Sequence, residues 1–194
     1  MKKNSFLDVL APPAWLDSAL ARAPAGKTDD YSWLRWVIEL SRINALEKSG
    51  GPFAAAVVDR DKGALVAAAV NQVEALSCSS AHAEILALGR AQKLMQSHDL
   101  ARAELNLTVY SSAQPCLMCF GAFLWSGARR LVYGAAKRQV EKTLGFDEGP
   151  LPRNWRQEMQ KRGVSVRGPL LAKEAVSVFD LYLKMNGSIY NPSR

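Results

Sequence analysis

Apolar positions along the chain change period several times, and each change marks an element. From Tyr31 to Lys48, the residues Leu34, Val37, Ile38, Leu40, Ile43 and Leu46 recur at helical spacing, with Asp29 or Asp30 placed to cap the start and Gly50-Gly51 to stop the end. Two strand-sized runs follow, Phe53 to Arg60 and Ala64 to Val70, and Asp61-Lys62-Gly63 between them reads as a hairpin turn. Ser79 and Ser80 are then expected to cap a helix from about Ala81 to Gln96; Leu105 to Tyr110 reads as a strand, and Pro115 opens a helix to about Trp125. A strand over Arg130 to Gly134, helices over Lys137 to Leu144 and Asn154 to Arg162, a strand over Val164 to Arg167 and a helix over Ala172 to Met185 complete the pattern. Helix, hairpin, then alternating helix and strand predicts an α/β fold with three α/β/α layers around a mixed sheet.

The first thirty residues break this regularity. They hold three prolines, several alanines and the polar run Lys27-Thr28-Asp29-Asp30. Residues 1–30 are therefore expected to form an N-terminal extension with one short helix around Trp15 to Ala21, appended to a single domain over 31–194.

Composition narrows the class. The longest apolar runs are strand-sized, far below the ~20 residues a helix needs to cross a bilayer, so no membrane partner is expected. Asp8 and Pro12-Pro13 break the short apolar stretch near the start, which speaks against a secretory leader and for the cytoplasm. Three unevenly spaced cysteines are too few for a disulfide framework and suit metal ligation or core packing in a reducing compartment. The charge of +7 would suit an anionic partner, but Lys and Arg are dispersed, with modest clusters at Arg129 to Lys142 and Arg153 to Arg167, so solvated faces rather than nucleic-acid binding are expected.

The chemistry-bearing residues gather at two predicted helix starts. His82-Ala83-Glu84 opens one helix and Pro115-Cys116-Leu117-Met118-Cys119 opens the next. One histidine and two cysteines give a tetrahedral metal three protein ligands and leave its fourth position for water, the mark of a catalytic rather than a structural zinc. Helix N-termini favour the thiolates that such ligation requires. Glu84 is placed to reach that water without being a ligand, as a general acid/base must. His82-x-Glu84 followed by Pro115-Cys116-x-x-Cys119 is the recognised signature of zinc nucleobase deaminases. The second histidine, His98, is expected in solvent and Cys78 as a packed thiol; with only two histidines, a many-histidine metal site is excluded.

With these motifs the sequence resembles the cytidine deaminase-like superfamily, and within it the bacterial guanine deaminases, from about Tyr31 to the C-terminus. The resemblance rests on Gly51 to Val58, Ala81 to Ile85, Gln114 to Ala122, and Gly145-Phe146-Asp147-Glu148-Gly149-Pro150. The last is the discriminating segment, an acidic pair after an aromatic residue beside the substrate. The resemblance implies a five-stranded sheet, one Zn2+ per subunit, and hydrolysis of guanine to xanthine and ammonia. It implies that Asn71 hydrogen-bonds the base, that Phe53 and Trp125 pack against it, and that the N–H of Ala83 faces its carbonyl. Asp147 and Glu148 are assigned to the substrate, Glu148 as the second catalytic carboxylate. It further implies a homodimer whose C-terminal segment, about 186–194, closes its own or the partner's site, with Tyr190 as lid. Ala54 departs from the glycine common after the first-strand Phe, and the N-terminal extension is not shared. Other amino-heterocycles (ammeline, cytosine, a purine nucleoside) and tRNA adenosine are the competing substrates.

Overall fold

The computed structural model describes residues 11–26, 29–103 and 105–191. Its sheet has five strands, β1 (Ala54–Asp59), β2 (Ala64–Val70), β3 (Leu107–Ala113), β4 (Arg130–Ala135) and β5 (Ser165–Arg167), in the order β2-β1-β3-β4-β5. β1 pairs antiparallel with both β2 and β3, while β3–β4 and β4–β5 are parallel. The mixed sheet is as expected.

Helices cover both faces, which is why the central strands are apolar at consecutive positions rather than alternate ones. Ala54, Ala56 and Val58 of β1 enter one core with α2 (Asp30–Leu46) and α7 (Ala172–Lys184), whereas Ala55 and Val57 enter the other with α3 (Ala83–Leu94) and α4 (Leu117–Ser126). α1 (Leu16–Leu20) buries Leu16 and Ala19 in the first core, and Trp15 Nε1 donates to Ser49 Oγ at 2.9 Å. The described part of the N-terminal extension is thus packed into the domain and not merely appended. Residues 1–10, 27 and 28 of that extension, and residues 192–194 of the expected lid segment, lie outside the described residues. α5 (Lys137–Leu144) and α6 (Trp155–Lys161) follow β4.

Three local expectations are corrected. Ser79 and Ser80 do not cap α3; the cap position is His82, with extended backbone and no capping side chain, because its ring turns to the site instead. Pro115 likewise lies outside α4, whose cap position is Cys116. β3 runs on to Ala113 instead of ending at Tyr110, since its two buried serines are satisfied: Ser111 Oγ donates to Glu84 at 3.0 Å and Ser112 Oγ accepts Ala54 N–H at 3.0 Å.

Asp29 does cap α2, accepting Ser32 N–H at 2.8 Å. Asp30, the next residue, is buried and takes Arg130 through both oxygens at 2.9 and 2.7 Å, Tyr110 OH at 2.9 Å, and Arg167. Burial alone would raise its pKa, but these hydrogen bonds outweigh it and hold the carboxyl well below the usual range. The start of α2 is thereby bolted to β3, β4 and β5.

Candidate metal centre

His82 and Cys116 stand immediately before α3 and α4, and Cys119 in the first turn of α4, so two helix N-termini converge. His82 Nδ1 lies 3.6 Å from Cys116 Sγ and 3.5 Å from Cys119 Sγ, and all three ligand atoms lie within 4.8 Å of one another. Bond lengths of about 2.05 Å to nitrogen and 2.3 Å to sulfur at tetrahedral angles put such an N···S edge at about 3.5 Å. The donor set therefore fits a zinc ion without rearrangement. It is the one cluster of three or more His, Cys, Asp or Glu so arranged among the described residues.

The two thiols divide their protons unequally. The hydrogen bond from Cys119, and then that from His82, hold Cys116 down at about 4, while the bond to Cys116, burial and nearby Glu84 raise Cys119. One sulfur is thus a ready thiolate; the other gives up its proton on binding metal.

Glu84 is buried in the first turn of α3, with Oε1 accepting from Ser111 and Oε2 3.4 Å from Cys119 Sγ. The carboxylate touches the centre from beside it and is not among the ligand triad. Burial, with Cys116 close by, raises its pKa.

A cavity of about 270 Å³ opens over these residues. Phe53 and Phe146 form one wall, their ring centroids 5.6 Å apart. Asn71 is almost fully buried, and its Oδ1 accepts Tyr190 OH at 2.9 Å and the N–H groups of Gly51 and Val73 at 3.3 Å each. Backbone N–H groups can only donate, so the carbonyl side of this amide is fixed toward them and its NH2 is the side left for a ligand acceptor. Gly51 permits this closeness: a Cβ there would stand 2.3 Å from Tyr190 Oη. Asn44 steadies the same corner, donating to Gly51 O at 2.8 Å and Asn71 O at 2.9 Å.

The loop 145–150, which carries Phe146, also contributes to the cavity. Glu148 lines the cavity, and burial, then the negative charges of Cys116 and Glu84, push its pKa up to about 8. Asp147 also lines the cavity but is exposed, and its Oδ1 accepts Gly149 N–H at 3.0 Å, which shapes the loop. Tyr190 also lines the cavity, its ring centroid 4.8 Å from that of Phe146.

The comparisons agree with this geometry. Residues 27–135, more than half of the chain, match the model of the cytidine and deoxycytidylate deaminase zinc-binding region. The chain belongs to this family. The solved structure of a guanine deaminase from Nitrosomonas europaea superimposes with a TM-score of 0.83 at 42% identity, over 89% of this chain and 94% of that one. A guanine deaminase of Bacillus subtilis is 34% identical over 99 residues, 51% of this chain and 59% of that protein. A tRNA-specific adenosine deaminase of Buchnera aphidicola is 26% identical over 155 residues, 80% of this chain and 94% of that protein. As a member of the family, the protein is a zinc-dependent hydrolytic deaminase.

Within this deaminase, the structure brings His82, Cys116, Glu84, Phe53, Asn71, Asp147, Glu148 and Tyr190 together at one cavity, with Cys119 buried beside His82 and Cys116. Ala83 is fully buried at the first position of α3, where its N–H has no preceding helical carbonyl to bond, but it does not line the cavity. Trp125 is the correction. It is 87% exposed and outside the cavity: it shares the α4 face of cavity-lining Met118 but stands seven residues, about 10 Å, further along the helix. His98 is exposed, as expected, and Cys78 is half-buried beside Ser80. The sequence reading missed Ser111, which orients Glu84, and gave no role to Gln114 and Phe146 in the cavity wall. The aromatic beside Asp147 was the available sign of Phe146; nothing local marks Ser111.

Proposed function

We propose that this deaminase acts on free guanine, giving xanthine and ammonia as a step in purine catabolism. The observation that carries the reading is a second carboxyl, half-buried Glu148, lining the same cavity as Glu84. Proton transfer needs one carboxyl; guanine, with N–H donors on its ring and its amino group, gives the other something to accept. Likeness to two proteins known as guanine deaminases supports it.

Zinc held by His82, Cys116 and Cys119 would lower the pKa of a bound water from 15.7 to about 7, making a nucleophile available at neutral pH. Glu84 takes the proton this water loses and delivers it to the ring nitrogen beside the amino-bearing carbon. A raised pKa suits a group that must both accept and give up a proton near neutrality. A second proton passes through Glu84 to the amine, which leaves as ammonia while the water's oxygen stays on the ring. Asn71 donates its NH2 to an acceptor of the base, Glu148 accepts from its N–H edge, and Phe53 and Phe146 pack on its face. Tyr190 closes the cavity and keeps out bulk water.

The basic composition and the likeness to a tRNA-specific deaminase favour a polynucleotide substrate, but Asp147 and Glu148 border the opening and Tyr190 roofs it. Turnover of guanine, guanosine, cytosine, ammeline, adenosine and tRNA side by side decides the matter. Guanine is expected to turn over and tRNA not to; salt-sensitive tRNA retention with inosine formation would overturn the reading.

We also propose a cytoplasmic homodimer. Met118 and Trp125, seven residues apart on α4, are 37% and 87% exposed, with half-buried Gly121 and Ala122 between them. An apolar stripe ending in an exposed tryptophan is a surface that a second copy would cover. Three free cysteines, two of them zinc ligands, suit a reducing compartment. No described helix is long and apolar enough to cross a membrane.

A further inference from the structure

Glu148 sits in a loop, and a loop holds a catalytic group in place only if its backbone is tied down. The downstream half has local ties. Leu117 N–H donates to Glu148 O at 3.0 Å, Lys137 Nζ to Gly149 O at 2.6 Å, and Gly149 N–H to Asp147 Oδ1 at 3.0 Å. In the upstream half Gly145 N–H donates to Glu141 O at 3.0 Å and buried Phe146 packs on Phe53 and Tyr190, and a side chain from the far end of the chain adds two hydrogen bonds. Asn191 Nδ2 donates to Gly145 O at 2.8 Å, and Asn191 Oδ1 accepts Asp147 N–H at 2.8 Å.

A single planar carboxamide thus spans two residues of the loop, giving a donor to one and an acceptor to the other. Among side chains of this length, that pairing is particular to asparagine, since aspartate at neutral pH offers no donor. The neighbouring residue reaches another part of the cavity lining, where Tyr190 OH donates to Asn71 Oδ1 at 2.9 Å. The dipeptide Tyr190-Asn191 therefore straps Asn71 to the loop that carries Glu148.

We propose that Asn191 is a positioning residue that sets Glu148 against the substrate by fixing the backbone at Gly145 and Asp147. This rests on the guanine reading, in which Glu148 accepts from the base. Asn191 is exposed, so its replacement can be made without opening the core.

The test pairs two readouts on the zinc-loaded full chain. In hydrogen exchange, Asn191→Ala is expected to speed exchange in 145–149 while leaving the amides of α3 and β3 unchanged. In kinetics, Asn191→Ala is expected to lower kcat/KM for guanine by on the order of 10-fold, the scale of two lost hydrogen bonds at an exposed site. Asn191→Asp, which keeps the acceptor and loses the donor, is expected to fall between it and the parent. In a Glu148→Gln background, Asn191→Ala is expected to add little, because both changes act through one group. Unchanged exchange in 145–149, or fully additive losses in the double variant, would overturn the proposal. A parent enzyme inert toward guanine that still shows the exchange change would sink the substrate reading and leave the strap standing.

Discussion

Ser111 on β3 and Glu84 on α3 meet through a 3.0 Å hydrogen bond that takes up one carboxylate oxygen and leaves the other 3.4 Å from Cys119 Sγ. The carboxylate proposed to move the protons is thus aimed by a strand rather than by its own helix alone. Ser111→Ala is expected to lower kcat by about 10-fold, the scale of one hydrogen bond to a charged group, with KM and bound zinc little changed. Glu84→Gln is expected to cost at least the roughly 10²–10⁴-fold typical of a lost general acid/base. Metal analysis beside steady-state kinetics separates these from loss of the site.

The substrate amide is set by its neighbours. Asn71→Asp keeps an oxygen for Gly51 and Val73 but gives up the NH2 side, and is expected to raise KM and lower kcat together, by about 100-fold in kcat/KM. Tyr190→Phe keeps the ring on Phe146 and loses the hydroxyl that reaches Asn71, so a fall of only several-fold is expected, roughly the scale of one neutral hydrogen bond. Kinetics on both variants check the order; a larger loss for Tyr190→Phe would contradict it.

Stability has its own anchor, away from this chemistry. Asp30 is held by Arg130, Arg167 and Tyr110, and its folded-state pKa is depressed. Its contribution is therefore complete above its unfolded value of about 3.9 and is lost as pH falls through that value toward the folded one. Asp30→Asn leaves part-buried Arg130 without its carboxylate and is expected to cost up to about 3–5 kcal/mol at pH 7. Urea denaturation of parent and variant should show this gap narrowing below about pH 4. A gap constant with pH would mean that the carboxylate's charge plays no part.

The metal triad was legible because its chemistry is local: ligands at two helix starts, in the order and spacing of a recognised signature. The sheet was legible because strands buried on both faces leave long apolar runs. What depended on distant partners was not. Asp30 reads as a helix cap, while its arginines lie 100 and 137 residues away. Ser111 and Ser112 read as the end of a strand because their partners come from other elements. Trp125 was placed in the pocket by resemblance, although it stands two helical turns beyond Met118, the α4 residue on its face that lines the cavity.

The metal can be tested by its removal. A chelator is expected to abolish turnover, and added zinc to restore it, since three ligands with one free thiolate leave the folded site able to reload. Cys119→Ser is expected to lose both metal and activity. Full activity in a zinc-free sample would contradict the assigned role of the triad.

The most direct measurement is the product balance on zinc-loaded protein supplied with guanine. Xanthine and ammonia are expected to appear in equal amounts, with one zinc per chain, and neither product with Glu84→Ala. Guanine left intact while another amino-heterocycle releases ammonia, or turnover that survives loss of Glu84, would contradict the account.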